Sequence, residues 1–454
     1  GTSSMGYWKW NQRWVFQKEG EDKDKDGINS KYTTKFKAEN PNSPHNGKKA
    51  WQPFAGAPFA KKLDAKINWA SPMQSHKIGS TGMYNDLWKA VVKDNEITKL
   101  GTTNGGVDFT GTDGGYADCR VTVGQVPFMV FCQKDKDSTP EFYGLYTMGP
   151  SKGDKPTFGY NDDLELFANF SMIEGCDNGA LVVTGRAPWN DEDVVLDDKG
   201  EIFMYNGVKQ YEMSMGETGE DYGHNSVTMK NFKEWNRFVY LLNPNLKYFN
   251  GKLSDLYKDA SLDTEAFYWT TQKDTSLNAD AYNVYRYDIP KKKWVNAGIE
   301  YITRDENGVG TDYEIVNLKT QLGINPTGTY DAQNQAFINK RAEKFAERIE
   351  EWFDKDDFLF TMSFLKLIAA SDNWAKNTYI YNAGFTDDEG KLTSKWRFFQ
   401  DDLDTIFSLD NSGYKVKPYY VEEHDKKPSD NSNYFNADKN PLYCLAELAW
   451  APEL

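Results

Sequence analysis

Apolar and polar residues follow two different periods in the first half of the chain. Along Lys62–Ala70 they alternate one by one, which is the pattern of a half-buried β-strand. Along Thr81–Lys93 the apolar residues recur every three or four positions, which predicts an amphipathic helix. The predicted buried stripe of this helix consists of Tyr84, Leu87, Trp88 and Val91. Two β-rich runs, Arg120–Gln133 and Glu141–Gly149, are separated by a polar turn and predict a hairpin.

The middle of the chain gives the least regular pattern. Aromatic runs at Tyr282–Tyr287 and Lys293–Ala297 lie on either side of a turn at Pro290, which predicts a second hairpin. Residues 181–300 as a whole are predicted to be an inserted module, mostly β and loop. Residues 1–60 are rich in Lys, Asn, Gly, Pro and Trp and show little periodicity, so we expect an irregular extension that wraps on a neighbour.

The last third of the chain is predicted to be mainly helical. Apolar residues form one stripe along Asp331–Phe353, which indicates a long amphipathic helix. That predicted stripe consists of Phe337, Ile338, Ala342, Phe345, Ile349 and Phe353. The next segment, Phe358–Ala370, is almost entirely apolar, and Asp356 or Asp357 is the predicted cap of its N-terminus. A helix that is apolar on every face belongs at the centre of a fold.

These elements predict an α+β fold in four parts. Residues 1–60 are the extension, and residues 61–180 form an N-terminal lobe of strands and one helix. Residues 181–300 are the β-rich insertion, and residues 301–454 form a helical C-terminal lobe.

Composition narrows the possible classes of protein. The chain has 454 residues, with 53 Lys and Arg against 68 Asp and Glu, which gives a formal net charge of −15. An aromatic content of 15% lets a chain of this length bury a large core, which excludes global disorder. The acidic balance argues against a specific nucleic-acid partner, because nucleic-acid binding requires a basic surface. The 4 Cys and 4 His residues show no zinc-type spacing.

Membrane and targeting signals are not visible in the sequence. No run approaches the roughly 18–20 apolar residues that a membrane span needs, so no membrane span is predicted. The N-terminal segment lacks the apolar core of a signal peptide. Because the chain does not begin with Met and ends inside a predicted helix, we expect it to be an excerpt of a longer protein.

One acidic turn in the N-terminal extension has the spacing of a calcium loop. Asp22, Asp24 and Asp26 supply alternate carboxylates. Thr33 stands where an EF-hand loop needs a bidentate Glu, and no amphipathic helix flanks the segment. A solvated charged turn is therefore the favoured interpretation.

Two groups of polar residues flank, in sequence, a predicted hairpin that follows the buried helix. Asp372 and Asn377 precede its first strand, and Asp402 and Asp404 follow its second strand. Phosphoryl transfer requires a carboxylate that orients a hydroxyl, an amide oxygen that holds Mg²⁺, and a carboxylate between metal and phosphate. The hairpin brings both motifs to one end of adjacent strands, which predicts a kinase-like metal site. The alternative is that these residues are turn and cap residues.

This arrangement of motifs resembles the C-terminal half of the CotH family, a group of atypical kinases named for a spore-coat protein. The segment Asp372–Asn377, an aromatic strand and the Asp-Leu-Asp element at Asp402 carry the resemblance. Upstream, Glu141–Tyr146 is similar to a hairpin of the family, and the segment from Lys66 to Lys77 resembles its lysine-bearing strand. The resemblance implies a two-lobed kinase-like fold with ATP and Mg²⁺ or Mn²⁺ as cofactors.

The resemblance also implies roles for individual residues. Asp372 is the expected catalytic base or substrate-orienting carboxylate. Asn377 and Asp402 are the expected metal ligands, with Asp404 as a supporting or second ligand.

Two lysines are candidates for binding the nucleotide. Lys77 is the first candidate for the lysine that neutralises the nucleotide phosphates, and Lys66 is the second. Three features depart from the family pattern: Asp86 is the only acidic residue of the helix near its middle, no Gly-x-Gly-x-x-Gly loop is visible, and Asp401 replaces an expected tryptophan. The metal half of the site is therefore expected to be intact, and the nucleotide half is less well matched.

Two functions remain open at this stage. The segments Ser71–Thr81, Gln400–Asp410 and Tyr419–Asp425 look like CotH-type domains in large virion proteins of gut bacteriophages, such as the muzzle proteins at the tail ends of crAss-like phages. That resemblance implies a structural component of a phage tail, located in the virion, with other copies of itself and other tail proteins as partners in a symmetric assembly. The alternative is an active ATP- and metal-dependent protein Ser/Thr kinase of the CotH type, at a bacterial cell surface or in a spore-coat-like layer.

Overall fold

The computed structural model of the chain describes its principal helices and strands. It describes residues 11–15, 62–67, 75–91, 122, 124–152, 169–175, 204–205, 208–209, 211–215, 227–242, 248–249, 269–274, 276–277, 281–288, 291, 293–304, 306, 310–316, 330–370, 373, 377–403, 405–407 and 441–450. The acidic turn with Asp22, Asp24 and Asp26 lies outside the described residues.

Strands and helices are both abundant, so the predicted α+β class is confirmed. The helices are α1 (Ser75–Val91), α2 (Val227–Leu242), α3 (Tyr330–Arg348), α4 (Lys355–Leu367) and α5 (Pro441–Trp450), with a 3₁₀ turn at Ile349–Glu351. Among the described residues, none of these helices combines the length and the apolar character that crossing a membrane requires.

Within the described ranges the strands form four sheets. They are β1 (Gln12–Val15), β2 (Lys62–Lys66), β3 (Val126–Cys132), β4 (Glu141–Pro150), β5 (Ser171–Gly175), β6 (Met204–Tyr205), β7 (Val208–Lys209), β8 (Tyr211–Met215), β9 (Tyr248–Phe249), β10 (Trp269–Lys273), β11 (Ala281–Asp288), β12 (Lys293–Arg304), β13 (Gly310–Val316), β14 (Thr378–Asn382) and β15 (Arg397–Gln400). Their orders are β1-β2-β4-β3, β13-β12-β11-β10-β9, β15-β14-β5-β8 and β6-β7.

The first sheet, β1-β2-β4-β3, confirms the first predicted hairpin but corrects its surroundings. Strands β3 and β4 pair antiparallel, and β3 begins at Val126 rather than at the predicted Arg120. Strand β1 lies in the segment predicted to be irregular and pairs with β2. The side chains of Arg13 and Asp64 join β1 to β2 through two hydrogen bonds of 2.6 and 3.0 Å. The N-terminal extension therefore contributes a strand. The sequence does not predict this strand, because four residues are too few to show a period.

The five-stranded sheet confirms the second hairpin and overturns a predicted boundary. Strands β11 and β12 pair antiparallel along their length. Strand β12 continues to Arg304, so the boundary predicted at residue 300 falls inside a strand.

The third sheet, β15-β14-β5-β8, draws on three of the four predicted parts. Strand β14 lies between β15 and β5, and β8 pairs with the outer edge of β5. Strand β5 comes from the predicted N-terminal lobe, and β8 comes from the predicted insertion. Residues 181–300 also contain α2, whose Trp235 is completely buried in the main core. Part of the region predicted to be an insertion therefore belongs to the main body of the protein, since Phe232, Trp235 and Phe238 of α2 lie in the main core and β8 lies in the third sheet.

The main core lies on one face of the third sheet. Ile173, Ile380 and Phe398 are cross-strand neighbours on β5, β14 and β15, and all three are fully buried against the helices. The residues next to them in sequence point to the opposite face because side chains alternate along a strand. The candidate site lies on that second face.

Helices α1 and α4 are longer or shifted relative to their predictions. Helix α1 begins at Ser75, six residues before the predicted Thr81. Its residues Tyr84 and Trp88 are buried as predicted, whereas the predicted stripe residues Leu87 and Val91 are 40% and 50% exposed.

Helix α4 has a different cap from the one predicted. The Asp354 side chain accepts a hydrogen bond of 2.9 Å from the backbone N–H of Asp357, so neither Asp356 nor Asp357 is the cap. The long amphipathic helix is confirmed as α3, with Ala342 and Phe345 buried, but it ends at Arg348 rather than at Phe353, and Ile349 lies in the 3₁₀ turn that follows.

Asp357 is a buried acid that ties three elements together. Its carboxylate accepts hydrogen bonds from Trp88 Nε1 on α1 at 2.7 Å and from the Phe398 N–H on β15 at 3.1 Å. Burial raises the pKa of Asp357 to about 6, while the positive charge of Arg397 opposes the shift. The two hydrogen bonds hold α1 and α4 against β15, the strand that leads into the candidate site.

We predict that Asp357 makes stability fall as the pH rises. The native carboxyl holds its proton up to about pH 6, whereas the ordinary pKa is 3.8. Between these values the native state binds more protons than the unfolded state, so the free energy of unfolding drops by roughly 3 kcal/mol as the pH rises from about 4 to about 6. Urea unfolding of the wild type and of Asp357→Asn across this pH range measures the contribution of Asp357 to the free energy of unfolding. Parallel stability curves for the two proteins would contradict it.

Candidate functional site

The two polar motifs meet at one end of the β14–β15 pair. Thr378, the first residue of β14, pairs with Gln400, the last residue of β15. Asn377 precedes this pair and Asp401 follows it. The expected juxtaposition of the Asp-x₄-Asn segment and the acidic segment is therefore found for Asn377 and the residues that follow β15.

Lys66 reaches this end of the third sheet from the first sheet. It is the last residue of β2, where it pairs with Thr147 of β4. Its ammonium Nζ lies 3.3 Å from Asp401 Oδ2 and 3.2 Å from Asp402 Oδ1. More than 330 residues separate the partners in sequence, so only the tertiary fold brings these charges together.

The two aspartates differ in burial. The side chain of Asp401 is 5% exposed, whereas that of Asp402 is 36% exposed. Asp401 also accepts a hydrogen bond from the Asp402 N–H at 2.7 Å, and its backbone carbonyl accepts one from Asn373 Nδ2 at 3.0 Å. Asp401 is thus held on several sides, and Asp402 presents its carboxylate towards solvent.

Both expected metal ligands that the structure describes have a left-handed backbone. The φ angle is 54° at Asn377 and 55° at Asp402. Asn and Asp occupy this region at lower cost than other residues with a side chain, but it is still uncommon. Such conformations persist where the surrounding structure imposes them, and they concentrate at functional sites.

Helix α1 packs against the segment that follows Asp402. The Ser80 hydroxyl is 3.2 Å from the carbonyl oxygen of Leu403, and the ring of His76 contacts Phe407 edge-on at 5.4 Å. Lys77, the first candidate for phosphate binding, lies in the first turn of α1 and not on the expected strand, and its side chain is outside the described part of the chain. Asp86 is exposed on the same helix.

A second charged cluster lies on the outer face of the third sheet, which is the face opposite the main core. Lys152 Nζ is 2.6 Å from Glu174 Oε2 and 2.6 Å from the Tyr379 hydroxyl, which in turn donates to Glu174 Oε1. Tyr379 and Glu174 are cross-strand partners on β14 and β5. Lys152 comes from the first sheet, two residues beyond the end of β4. We call Lys152, Glu174 and Tyr379 the Tyr379 triad.

The Tyr379 triad is electrostatically connected to the aspartates. Burial, followed by the negative charges of Glu174 and Asp401, raises the pKa of Tyr379 well above its usual value of 10. Asp402 acts in the same direction. Tyr379 therefore remains a neutral hydrogen-bond donor at physiological pH, and its hydroxyl lies within the field of the candidate metal ligands.

The structure thus brings together some of the expected residues and adds others. Lys66 contacts Asp402, and the strand register brings Asn377 to the same end of the sheet, whereas Asp372 and Asp404 lie outside the described residues. Sequence reasoning missed the structural role of Asp401 and the participation of four further residues: Asn373, Lys152, Glu174 and Tyr379. No local pattern marks the Tyr379 triad, because its members meet only through the pairing of β5 with β14.

The residues present fit a magnesium ion bound together with a phosphate group. Within the described ranges no three His, Cys, Asp or Glu side chains are grouped to hold a metal by themselves. Mg²⁺, however, keeps several waters and is bound through one or two carboxylates together with substrate phosphates. Asp402 is a partly exposed carboxylate of this kind, and the pairing of Thr378 with Gln400 brings Asn377 to the same end of the sheet.

The sequence matches no family model, and a search of curated proteins gives no significant match. The resemblance to the CotH family therefore stays an expectation from the motifs.

We predict that Lys66 is coupled more strongly to Asp401 than to Asp402. The two distances are nearly equal, so the difference in burial decides the result. Double-mutant cycles with Lys66→Met give a coupling free energy of about 1–3 kcal/mol for Asp401→Asn and below about 1 kcal/mol for Asp402→Asn. Chemical denaturation of the three single variants, the two double variants and the wild type measures both coupling free energies. Equal couplings would show that the two pairs have the same electrostatic environment.

Proposed function

We propose that this chain carries a kinase-like phosphoryl-transfer site in a two-lobed fold. The first sheet corresponds to the smaller lobe, and the third sheet with the helical core, into which α1 packs, corresponds to the larger one. The single observation that carries the proposal is the approach of Lys66 from the first sheet to Asp401 and Asp402 beside Asn377. A lysine from one lobe facing acids at a strand end of the other lobe is the arrangement that binds a nucleotide phosphate and its metal.

Each residue of the site has a definite task in this proposal. Lys66 neutralises phosphate oxygens, and Asp402 with Asn377 binds the divalent cation. That cation, Mg²⁺ or Mn²⁺, neutralises charge on the transferred phosphate when bound. Asp401 holds Lys66 and the backbone of Asp402 in place.

The transfer step follows from these positions. The oxygen of an acceptor Ser or Thr hydroxyl forms a bond to the γ-phosphorus of ATP, and the bond from that phosphorus to the β–γ bridging oxygen breaks. ADP leaves, and the hydroxyl proton goes to a carboxylate. Asp372 is the proposed acceptor of that proton, in keeping with the resemblance to the CotH family.

We predict that ATP binds in the presence of Mg²⁺ or Mn²⁺ and that Asp402→Asn weakens this binding by at least about tenfold. The substitution keeps the shape and tolerates the left-handed backbone, but it removes the charge that a divalent cation requires. Calorimetric titration of the wild type and the variant, with and without metal, measures the change. The melting temperature is expected to stay nearly constant because the Asp402 side chain is 36% exposed.

Asp86→Asn is the matched control for this experiment. It removes one negative charge from an exposed position on α1, so its nucleotide affinity should equal that of the wild type. No detectable heat with the wild-type protein would overturn the phosphoryl-transfer proposal. Equal losses in both variants would show that only the net charge of the chain matters.

A second candidate function, a structural component of a symmetric assembly such as a phage tail, is supported by a different observation. Apolar side chains are exposed on the β3–β4 hairpin: Met129 is 63% exposed, Phe131 54% and Phe142 59%. Monomeric proteins rarely expose several large apolar side chains side by side, and such patches commonly mark contacts with other proteins.

The structural candidate predicts self-association through this hairpin. Light scattering of the purified chain should give a mass above that of a 52.0 kDa monomer, and Phe131→Lys with Phe142→Lys should return the mass to the monomer value. The charged side chains cannot be buried in an apolar contact without a large desolvation cost. A monodisperse monomer for the wild type would count against the structural candidate and leave the nucleotide experiment as the deciding one.

A further inference from the structure

Lys152 has no role in the site as predicted from the sequence, yet it is held more closely than Lys66. Its ammonium group has two contacts of 2.6 Å, to Glu174 Oε2 and to the Tyr379 hydroxyl. The Glu174 and Lys152 side chains are 14% and 27% exposed, and Tyr379 is 2% exposed. A lysine fixed by two partners in a largely buried place has lost most of its rotamer freedom, so it is preorganised for a further contact.

Lys66 and Lys152 both lie at or just beyond the C-terminal end of a strand of the first sheet, and the two strands, β2 and β4, run antiparallel. Lys66 ends β2 and reaches the acids that follow β15, while Lys152 follows β4 and reaches the acid on β5. The backbone N–H of Ser151 donates to the Lys62 carbonyl at 2.9 Å, so the segment that carries Lys152 is still attached to β2. Two neighbouring strands of the first sheet thus each send one lysine to the outer face of the third sheet.

The charges of the site favour a polyanion that bridges these positions. Lys66 with Asp401 and Asp402 carries a net charge of −1, which a divalent cation reverses. An ammonium group has three N–H donors. Glu174 and Tyr379 account for two of those of Lys152 among the contacts described, and its side chain is partly exposed.

Tyr379 lies between the two lysine positions in the third sheet. Its hydroxyl contacts Lys152 and Glu174 directly, and its strand β14 lies between β5, which carries Glu174, and β15, which leads into Asp401. Tyr379 also packs edge-on against Phe399, at 6.0 Å between ring centroids, and Phe399 lies two residues before Asp401.

We propose that Lys152 is a second phosphate-binding residue of this site, and that Glu174 and Tyr379 are positioning residues that hold its ammonium group. The inference rests on the proposed function, and it names the ligand class as a nucleoside polyphosphate whose phosphates contact Lys66 and Lys152 separately. Lys66 reaches the acids that follow β15 and Lys152 reaches Glu174 on β5, with β14 between these two strands, so a polyphosphate can offer a separate phosphate group to each lysine. The gain in affinity from AMP to ADP to ATP therefore depends on Lys152.

The experiment compares binding of AMP, ADP and ATP, each with Mg²⁺, to the purified chain and to its variants. Lys152→Met should weaken ATP binding roughly 10- to 100-fold, the range expected for loss of a charged hydrogen bond, and should change AMP binding much less. Glu174→Gln keeps the shape but removes the charge that holds Lys152, and it should reduce the ATP-over-AMP ratio in the same direction. Tyr379→Phe keeps the buried ring and should reduce that ratio by a smaller factor.

Lys366→Met is the matched control. Lys366 and Glu447 form a Lys–Glu pair at 2.8 Å with side chains 19% and 21% exposed, and this pair joins α4 to α5 within the helical core. Its loss should lower the melting temperature about as much as the loss of Lys152 and leave the ATP-over-AMP ratio unchanged. If Lys152→Met fails to fold, Tyr379→Phe and Glu174→Gln carry the test.

The outcomes separate this inference from the proposed function. If the wild type binds ATP in a manner that depends on Asp402 but Lys152→Met behaves like Lys366→Met, the role of Lys152 is overturned and the proposed function stands. If the Tyr379 triad variants lower the melting temperature without changing the ATP-over-AMP ratio, the triad is structural and the inference is likewise overturned. If the wild type binds no nucleotide, the proposed function fails, and the inference fails with it.

Discussion

The antiparallel register of β14 and β15 is the constraint on which both the core and the candidate site depend. Because Thr378 pairs with Gln400, Ile380 and Phe398 share the face that packs on the helices. The same register leaves Asn377 and Asp401 together at the end of the pair. A shift of one residue would turn the apolar side chains to the outer face, so the burial of the core also fixes the geometry of the site.

Buried polar contacts transmit this register to the rest of the molecule. Asp357 accepts from the backbone of Phe398 and from Trp88, so one carboxylate connects β15 to α4 and α1. Its raised pKa reflects the free-energy cost of burying the charged carboxylate, and the two hydrogen bonds offset part of that cost. On the other face, Lys66 and Lys152 connect the first sheet to the third through charged pairs.

The sequence predicts the elements with strong periods and misses those that depend on distant partners. Both hairpins and the stripe of α3 follow from alternation and helical spacing, and the meeting of Asn377 with the acidic segment follows from hairpin geometry. Helix α2 was missed because its aromatic residues, such as Trp235, resemble those of the short strands around it.

The candidate site divides in the same way. Asp402 and Asn377 belong to local motifs, and Lys66 is a candidate through the resemblance of its segment to the lysine-bearing strand of the CotH family. Glu174 and Tyr379 carry no local signal, since 205 residues separate them and only the pairing of β5 with β14 makes them neighbours. A pair of this kind can be found only after the sheet order is known.

The unequal burial of the two aspartates bears on whether the site is chemical or structural. The Asp401 side chain is 5% exposed, pairs with Lys66 and accepts a hydrogen bond from the Asp402 N–H, so the fold alone accounts for a carboxylate at that position. Asp402 is 36% exposed and has a left-handed backbone that Gly or Asn would adopt as readily. An exposed ion pair contributes little to stability, so stability gives little reason for a carboxylate at Asp402. A metal ion bound with a phosphate group requires one, and this makes Asp402 the residue that distinguishes a phosphoryl-transfer site from a scaffold.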